Sequence, residues 1–531
     1  LSDKLFKIAD EAVEGGFLLF LGNASATFIS ALGAIAIARL LGPANYGFYS
    51  LSLTIPSLLA TLADFGINPA LTRYSAKLKA EHKSFQLALI LKTGFLIKLI
   101  ISLLFLLATL MLSKELAILL LNRPEIKPYL MLTSIFILFQ AIFSAAYSSL
   151  IGLNKMKKVS LMLIAQSIIK AFLSVILILI GLSVLGAILG YLSSYAIAAI
   201  LGVAFLFLKK ELKESFNFSN KEKLENPAAI MIKYGFPAYI SVLLATLLTQ
   251  YQNLILAHFV SNIEIGNFNA SINFSALINL IAFPITTVLF PAFSKLNPNL
   301  DSDNLKKIFV LAVKYVSLLL IPSSLFVAFL SKEFIFLTYG ESYASASFYL
   351  SFYMGIFLLT GLGYLVLGNL FNGLGETKIT MNMTLITTLV FLPFAPLSVK
   401  AFSVIGLIIA LIASNLLGAV YGLIQAWKKY QLKIDALSEL KIYLASGIAA
   451  LTLKIASPNS SALITICIKG ILYLLAYLTV IAFIEVVKKQ ELANLSQISN
   501  KIKLFNFIAK PILNYEDRLL NLKRRLLKSS S

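Results

Sequence analysis

Fourteen apolar runs of about 20 to 27 residues follow one another along the chain, each long enough to cross the hydrocarbon core of a bilayer as a helix. They lie near 15–39, 48–71, 87–112, 129–152, 159–181, 183–208, 231–256, 268–293, 308–331, 345–370, 379–399, 403–427, 438–456 and 461–487. In lipid every backbone N–H and C=O needs a partner within its own segment, so these runs predict an all-α polytopic membrane protein. Charged residues make up 13% of the 531, about half the share in soluble domains, and mean hydropathy is +0.88. The first run is too long for a secretory leader and is not followed by a small-residue cleavage site, so it reads as a first span.

The runs are not fourteen independent segments. Ser183-Val184-Leu185-Gly186 returns as Ser403-Val404-Ile405-Gly406, at an offset of 220. Ile151-Gly152-Leu153-Asn154 is matched by Asn372-Gly373-Leu374-Gly375 at 221, and Tyr46-Gly47 by Ile265-Gly266 at 219. Three anchors in one order at nearly one offset predict two six-helix lobes related by a parallel repeat, with the pseudo-twofold axis along the membrane normal. The expected organisation is an N-terminal lobe over 1–208, a cytoplasmic linker over 209–230 and a C-terminal lobe over 231–427. Two further helices follow over 428–487, then a basic amphipathic tail over 488–531.

Net charge is +21, which in a soluble protein would suggest nucleic acid. With the N-terminus inside, the cytoplasmic loops up to Lys441 carry 22 Lys and Arg and the outer side carries 7. This positive-inside bias accounts for most of the charge and predicts both termini in the cytoplasm, with no role for nucleic acid. The tail suits anionic lipid headgroups or a solvated state. One cysteine, Cys467, and two distant histidines, His82 and His258, give no thiolate or imidazole metal set. No phosphate-binding lysine loop of the ATPase type occurs, and no cofactor is expected; coupling to an ion gradient or the membrane potential is left open. Asp301-Ser302-Asp303 has the look of a sugar-transferase metal motif but reads as a turn or helix cap.

The stretch Ala38-Arg39-Leu40-Leu41-Gly42-Pro43-Ala44-Asn45-Tyr46-Gly47-Phe48-Tyr49-Ser50, with Leu62-Ala63-Asp64-Phe65-Gly66 and Arg73-Tyr74, resembles the Wzx-like oligosaccharide flippases. These belong to the multidrug/oligosaccharidyl-lipid/polysaccharide exporter superfamily. The resemblance implies a cavity between two lobes that opens alternately to either side. It implies as cargo a lipid-linked oligosaccharide, joined through a phosphate or diphosphate, moved from the inner to the outer leaflet of the cell membrane. Membrane lipids, and proteins of polysaccharide assembly, are the expected partners. Members commonly carry an acidic residue before Arg-Leu-Ile-Leu-Gly in the seventh helix; Gln252-Asn253-Leu254-Ile255-Leu256-Ala257 stands here, so no carboxylate role transfers. A peptidoglycan-precursor flippase and a drug/cation antiporter of the same superfamily are the alternatives, with a membrane glycosyltransferase as a distant one.

Ionisable groups inside spans are the candidates for function, because each costs a few kcal/mol unless it meets water or a partner. Arg39, Lys98 and Lys170 are expected to form a cationic cavity for phosphate, with Asp64 offsetting one of them and Arg73 at the inner end of the second span. A structural ion pair of Asp64 with Lys98 or Arg73 is the competing reading. Lys314 and Lys469 are ambiguous between reaching the membrane surface and a role in function, which for Lys469 would be meeting a lipid headgroup. In the second lobe Gln250, Gln252, Asn253, Asn273 and Asn279 offer amides, suited to sugar hydroxyls or to joining helices. Pro56, Pro237, Pro284 and Pro322 are candidate hinges.

Overall fold

The computed structural model describes residues 2–207, 226–298, 300–454, 461–487, 491–492, 510–511 and 513–519, without side chains for 2–17, 237, 238, 241, 279, 280, 283–285, 287 and 288. Most of the expected linker and tail, and the side chains of Asn279, Pro237 and Pro284, lie outside the described residues. Within them the chain forms helices and no strand. They are α1 (Ser2–Leu62), α2 (Ile67–Ala80), α3 (Ser84–Met111), α4 (Ser113–Leu119), α5 (Lys127–Thr133), α6 (Ile135–Gly152), α7 (Met156–Leu177) and α8 (Ser183–Phe207). Then come α9 (Pro227–Phe259), α10 (Asn262–Ser294), α11 (Ser302–Phe329), α12 (Ser331–Thr338), α13 (Ala344–Tyr353), α14 (Gly355–Leu358) and α15 (Tyr364–Gly373). The last are α16 (Thr377–Tyr430), α17 (Ala436–Leu451) and α18 (Ala462–Phe483).

Nine segments among the described residues are long and apolar enough to span a membrane. Three of them, Leu18–Leu62, Met156–Phe207 and Thr377–Tyr430, have 45, 52 and 54 residues, long enough for two crossings each. Helix α3 shows the inverted amphipathicity of a membrane bundle. Leu96, Leu99, Ile100, Leu103, Leu104 and Leu107 are exposed along one face, while Gly94, Lys98, Ser102 and Thr109 are buried on the other. Apolar side chains face outward because the surrounding lipid is apolar, and polar ones turn toward partners inside.

The repeat is visible in the backbone. Ser183 has φ 44° and ψ −126°, and Ser403 has φ 54° and ψ −139°, so the two anchors make the same sharp break between successive spans. Asn154 and Gly375, also equivalent, both have positive φ, 54° and 79°. The expected loop near 40–47 is instead helical on both sides of one residue, Gly42 at φ 72°, from which Pro43 starts a new helix with its φ already set. Pro56 and Pro322 lie inside α1 and α11 with helical backbone on either side, so the breaks fall at the glycine and serine anchors.

The chain forms two compact units. The first contains Leu1–Leu277 and Thr388–Ala410, the second Ile278–Thr387 and Leu411–Ser531. Their boundary follows packing and not the linker, because α9 lies against α1 and α2. The first unit's core gathers Ile67, Leu71, Ile90, Leu150, Met162 and Met231; the second's gathers Ile321, Ile442, Ala449, Tyr473 and Tyr477.

Candidate functional site

The first unit holds a buried charge centre built on the corner between α1 and α2. Lys98 of α3 is 2% exposed, and its ammonium donates to Asp64 Oδ1 at 2.9 Å, Asn68 Oδ1 at 2.7 Å and Ser144 Oγ at 2.5 Å. An ammonium has three protons, and here all three are used. Asp64 also accepts from the backbone N–H of Asn68 at 3.2 Å, which fixes the carboxylate one turn before the amide that shares its lysine. Removing Asp64 or Lys98 would leave the other's charge buried and unpaired.

Lys170 is held differently. It is half-buried on α7, and among the described residues no carboxylate pairs with it. Its Nζ lies 5.3 Å from the ring centroid of Tyr191, whose negative face attracts the ammonium. Tyr191 and Tyr195 are one turn apart on α8, with ring centroids 5.2 Å apart, and both pack on Phe136 of α6 at 5.2 and 4.9 Å. Tyr46 and Tyr49 of α1 stack at 6.0 Å, and Tyr46 accepts from Asn273 Nδ2 at 2.7 Å. Small residues let α7 come this close to α1 and α8: Ser30 donates to Ser167 at 3.0 Å, Gly33 faces Ala171, and Gly190 faces Ser174.

Helices α9 and α10 close on the first-half helices at two places. At one, the contacts are reciprocal: a Cβ built on Gly47 would stand 2.8 Å from the N of Gly266, and one on Gly266 would stand 3.0 Å from the N of Gly47. These are repeat-equivalent glycines, and their further neighbours, the Asn262 and Pro43 carbonyls, are equivalent too. Arg123 completes this end, donating to Val260 O at 2.7 Å and Asn262 Oδ1 at 3.2 Å. At the other end of the same stretch of α1, a Cβ on Gly66 would meet Gly235 O at 2.6 Å. There Tyr239 donates to Leu62 O at 3.1 Å and Arg73 lies 4.1 Å over the ring of Tyr234. Only glycine permits backbones to meet this closely.

The expected site residues therefore fall into separate places. Asp64 and Lys98 come together, and Lys170 stands apart from them with tyrosines. Arg39 is exposed beside the Gly42 break, and Arg73 belongs to the Gly66 end. Asn273 is tied to Tyr46, while Asn253 accepts from Asn269 at 3.2 Å, an amide joining two helices. Gln252 is half-buried on α9, and Gln250 borders a surface groove of about 490 Å³ with Val242, Thr246 and Thr249. Lys314 and Lys469 each face a carboxylate. Lys314 is 4% exposed and pairs with Glu491 at 2.7 Å, and Lys469 faces Glu333 at 3.8 Å. Asp301 serves its turn, accepting from the N–H of Asn297 at 3.0 Å.

Sequence reasoning missed the tyrosines and the Lys98 ligands Asn68 and Ser144. The i, i+4 spacing of Tyr191 and Tyr195 in an apolar helix was the available signal, as was Asn68 four residues after Asp64.

A family profile described as polysaccharide biosynthesis protein matches residues 12–297. The lipopolysaccharide biosynthesis protein WzxC of Escherichia coli (strain K12) is 23% identical over 388 residues, 72% of this chain and 74% of that protein. Among solved structures, lipid II flippase MurJ in an inward closed conformation aligns with a TM-score of 0.72 at 17% identity, covering 88% of this chain and 98% of that one. An inward-facing multidrug resistance MATE family transporter of the MOP superfamily aligns at 0.63 and 16% identity, covering 76% and 94%. At these identities the structures speak for the fold.

Proposed function

This chain belongs to the polysaccharide biosynthesis protein family, and from that premise we propose that it is a flippase for a lipid-linked oligosaccharide. It is a multi-pass membrane transporter and not an enzyme. The cargo is carried from the cytoplasmic to the outer leaflet by alternating access, with its phosphate or diphosphate recognised in the first unit. A relative named for lipopolysaccharide biosynthesis supports a glycan cargo.

The observation that carries this reading is Lys170. A lysine this deep in a span, with a ring and no carboxylate beside it among the described residues, keeps its charge available to an anion. Phosphate oxygens replace the missing counter-ion, and the flat faces of Tyr191 and Tyr195 suit the apolar faces of sugar rings. Lys98 acts as scaffold, because its protons are committed to Asp64, Asn68 and Ser144. With both termini in the cytoplasm, the Gly47–Gly266 contact is the outer gate and the Gly66–Gly235 contact the inner one. Opening one while the other stays shut exposes the lysine and tyrosines to one side at a time. An ion gradient or the membrane potential drives the cycle, and polysaccharide-assembly proteins receive the product.

The test is leaflet accessibility of a lipid-linked oligosaccharide in proteoliposomes. The wild-type chain should equilibrate the leaflets, and Lys170→Gln should do so far more slowly. Equal rates for the two would sink the assignment of Lys170; no movement by the folded wild type would sink the function.

A further inference from the structure

The second unit buries ionisable groups that the transport reading leaves unused, and they converge on the C-terminal segment. Beyond α18, Val486, Val487 and Leu492 are buried in the unit's core, and Leu513 packs on the same cluster. Glu491 meets Lys314 of α11 with both carboxylate oxygens, at 2.7 and 3.0 Å. In the helical stretch 513–519, the Tyr515 hydroxyl lies 2.9 Å from Thr479 Oγ1 of α18. Glu516 is 4% exposed, and its Oε2 is buried without a hydrogen-bond partner. That side chain borders an apolar cavity of about 650 Å³ between α11 and α18, with Pro322, Phe326, Tyr473, Tyr477 and Ile481.

The groups facing Glu516 do not neutralise it. From α18 come Tyr473 and Tyr477, whose hydroxyls already donate to the carbonyls of Pro322 and Leu318 at 2.9 and 2.8 Å. From α11 comes Tyr315, and from α17 Glu439 shares the electrostatic neighbourhood of Tyr477. Lys314 is engaged by Glu491, Asp517 and the exposed Arg518 follow Glu516 in its own segment, and no cation pairs with Glu516 among the described residues. A carboxylate in such surroundings is costly, whereas a neutral carboxyl is tolerated.

We propose that the described parts of the C-terminal segment, 491–492 and 513–519, act as an acid-tightened latch: Glu516 docks against α11 and α18 as a carboxylic acid, and its ionisation weakens docking and uncovers the cavity. Burial pushes this carboxyl up to about 7 from an ordinary 4.5. Below about 4.5 the docked and released forms are both protonated and docking is tightest. Between about 4.5 and about 7 the released segment ionises while the docked one does not, so docking weakens as pH rises; above about 7 it levels off. The whole range corresponds to ~300-fold in the docking constant. Apolar packing and the Lys314–Glu491 pair hold what remains. None of this depends on what the first unit carries.

The latch is read directly in the full-length chain in lipid nanodiscs. Cys467 is first replaced by Ser, and spin labels are placed at the exposed Asn514 and Lys433. Electron–electron distances should be short and narrow near about pH 5 and should shift toward long, broad values near about pH 7.5. Glu516→Gln should stay docked at both. Glu491→Gln should loosen docking at both while keeping the pH trend, which separates a failure to dock from a failure to titrate. A wild-type distribution that ignores pH, or a pH response that survives in Glu516→Gln, overturns the proposal.

Discussion

The two units share carboxylate-paired lysines and differ by one lysine that has a ring in place of a carboxylate. In the first, Lys98 is coordinated on three sides by Asp64, Asn68 and Ser144, while Lys170 rests on the ring of Tyr191. In the second, Lys314 and Lys469 both face carboxylates, Glu491 and Glu333. All four lie in long apolar helices; the partner sets Lys170 apart from the other three. A lysine with a carboxylate is part of the scaffold, because its charge is already answered. A lysine over an aromatic face is attracted to the ring but has no formal counter-charge beside it. The comparison singles out one lysine in four as the group to test for transport.

The largest expected effect is on the scaffold side. Asp64→Asn leaves Lys98 buried and unanswered and should destabilise the protein by about 3–5 kcal/mol. The double change with Lys98→Met should recover much of that, measured by thermal unfolding in detergent; a double variant as weak as the single would break the pairing argument. Lys170→Gln should do the reverse, sparing stability and slowing flipping by about 10- to 150-fold, the range of one charged hydrogen bond of about 1.5–3 kcal/mol. Lys314→Met should lower stability and leave flipping by the surviving folded protein near wild type.

Gly66→Ala places a methyl group against the Gly235 backbone and should cost about 1–3 kcal/mol through crowding. A cysteine reporter near Tyr239 should then react faster with a membrane-impermeant reagent from the inner side. Unchanged labelling would remove Gly66 as a gate. Separating the buried Lys469 from Glu333 should cost less than breaking the Lys98 centre, since their 3.8 Å contact is longer than the 2.9 Å one there, as thermal unfolding of Glu333→Gln against Asp64→Asn would show.

The smallest effect belongs to Glu376 in the α15–α16 turn. The Lys429 ammonium beside it holds its carboxyl below the usual range against the opposing effect of burial, with a smaller contribution from the Tyr430 hydroxyl. Its stabilising contribution is present above the ordinary carboxylate pKa and is lost as pH falls through the lowered one. Solvent screening keeps it to a few tenths of a kcal/mol, roughly, so Glu376→Gln should flatten only the acid edge of the stability curve.

Much of this was legible in the residues. Long apolar runs dictate helices, because a backbone in lipid has no other internal way to pair its polar groups. The repeated Ser-Val-Leu-Gly and Ser-Val-Ile-Gly anchors mark the two places where Ser183 and Ser403 take matching strained conformations. Asp64, Lys98 and Lys170 were recognisable from their depth alone. What each lysine touches was not, because a partner such as Ser144 lies 46 residues away on another helix. Likewise Glu491 and Glu516 look like surface charges of a basic tail, until folding carries them against α11 and α18.

The sequence by itself determined the helical class, the doubled organisation and which charges lie within membrane-spanning segments, since these follow from local hydrophobicity and from identity at a fixed offset. Only the tertiary structure decided which of these charges meet a carboxylate and which rests on a ring. That distinction depends on distances of a few ångströms between helices remote in sequence, where one carboxylate, amide or ring at Nζ changes the electrostatics more than depth does.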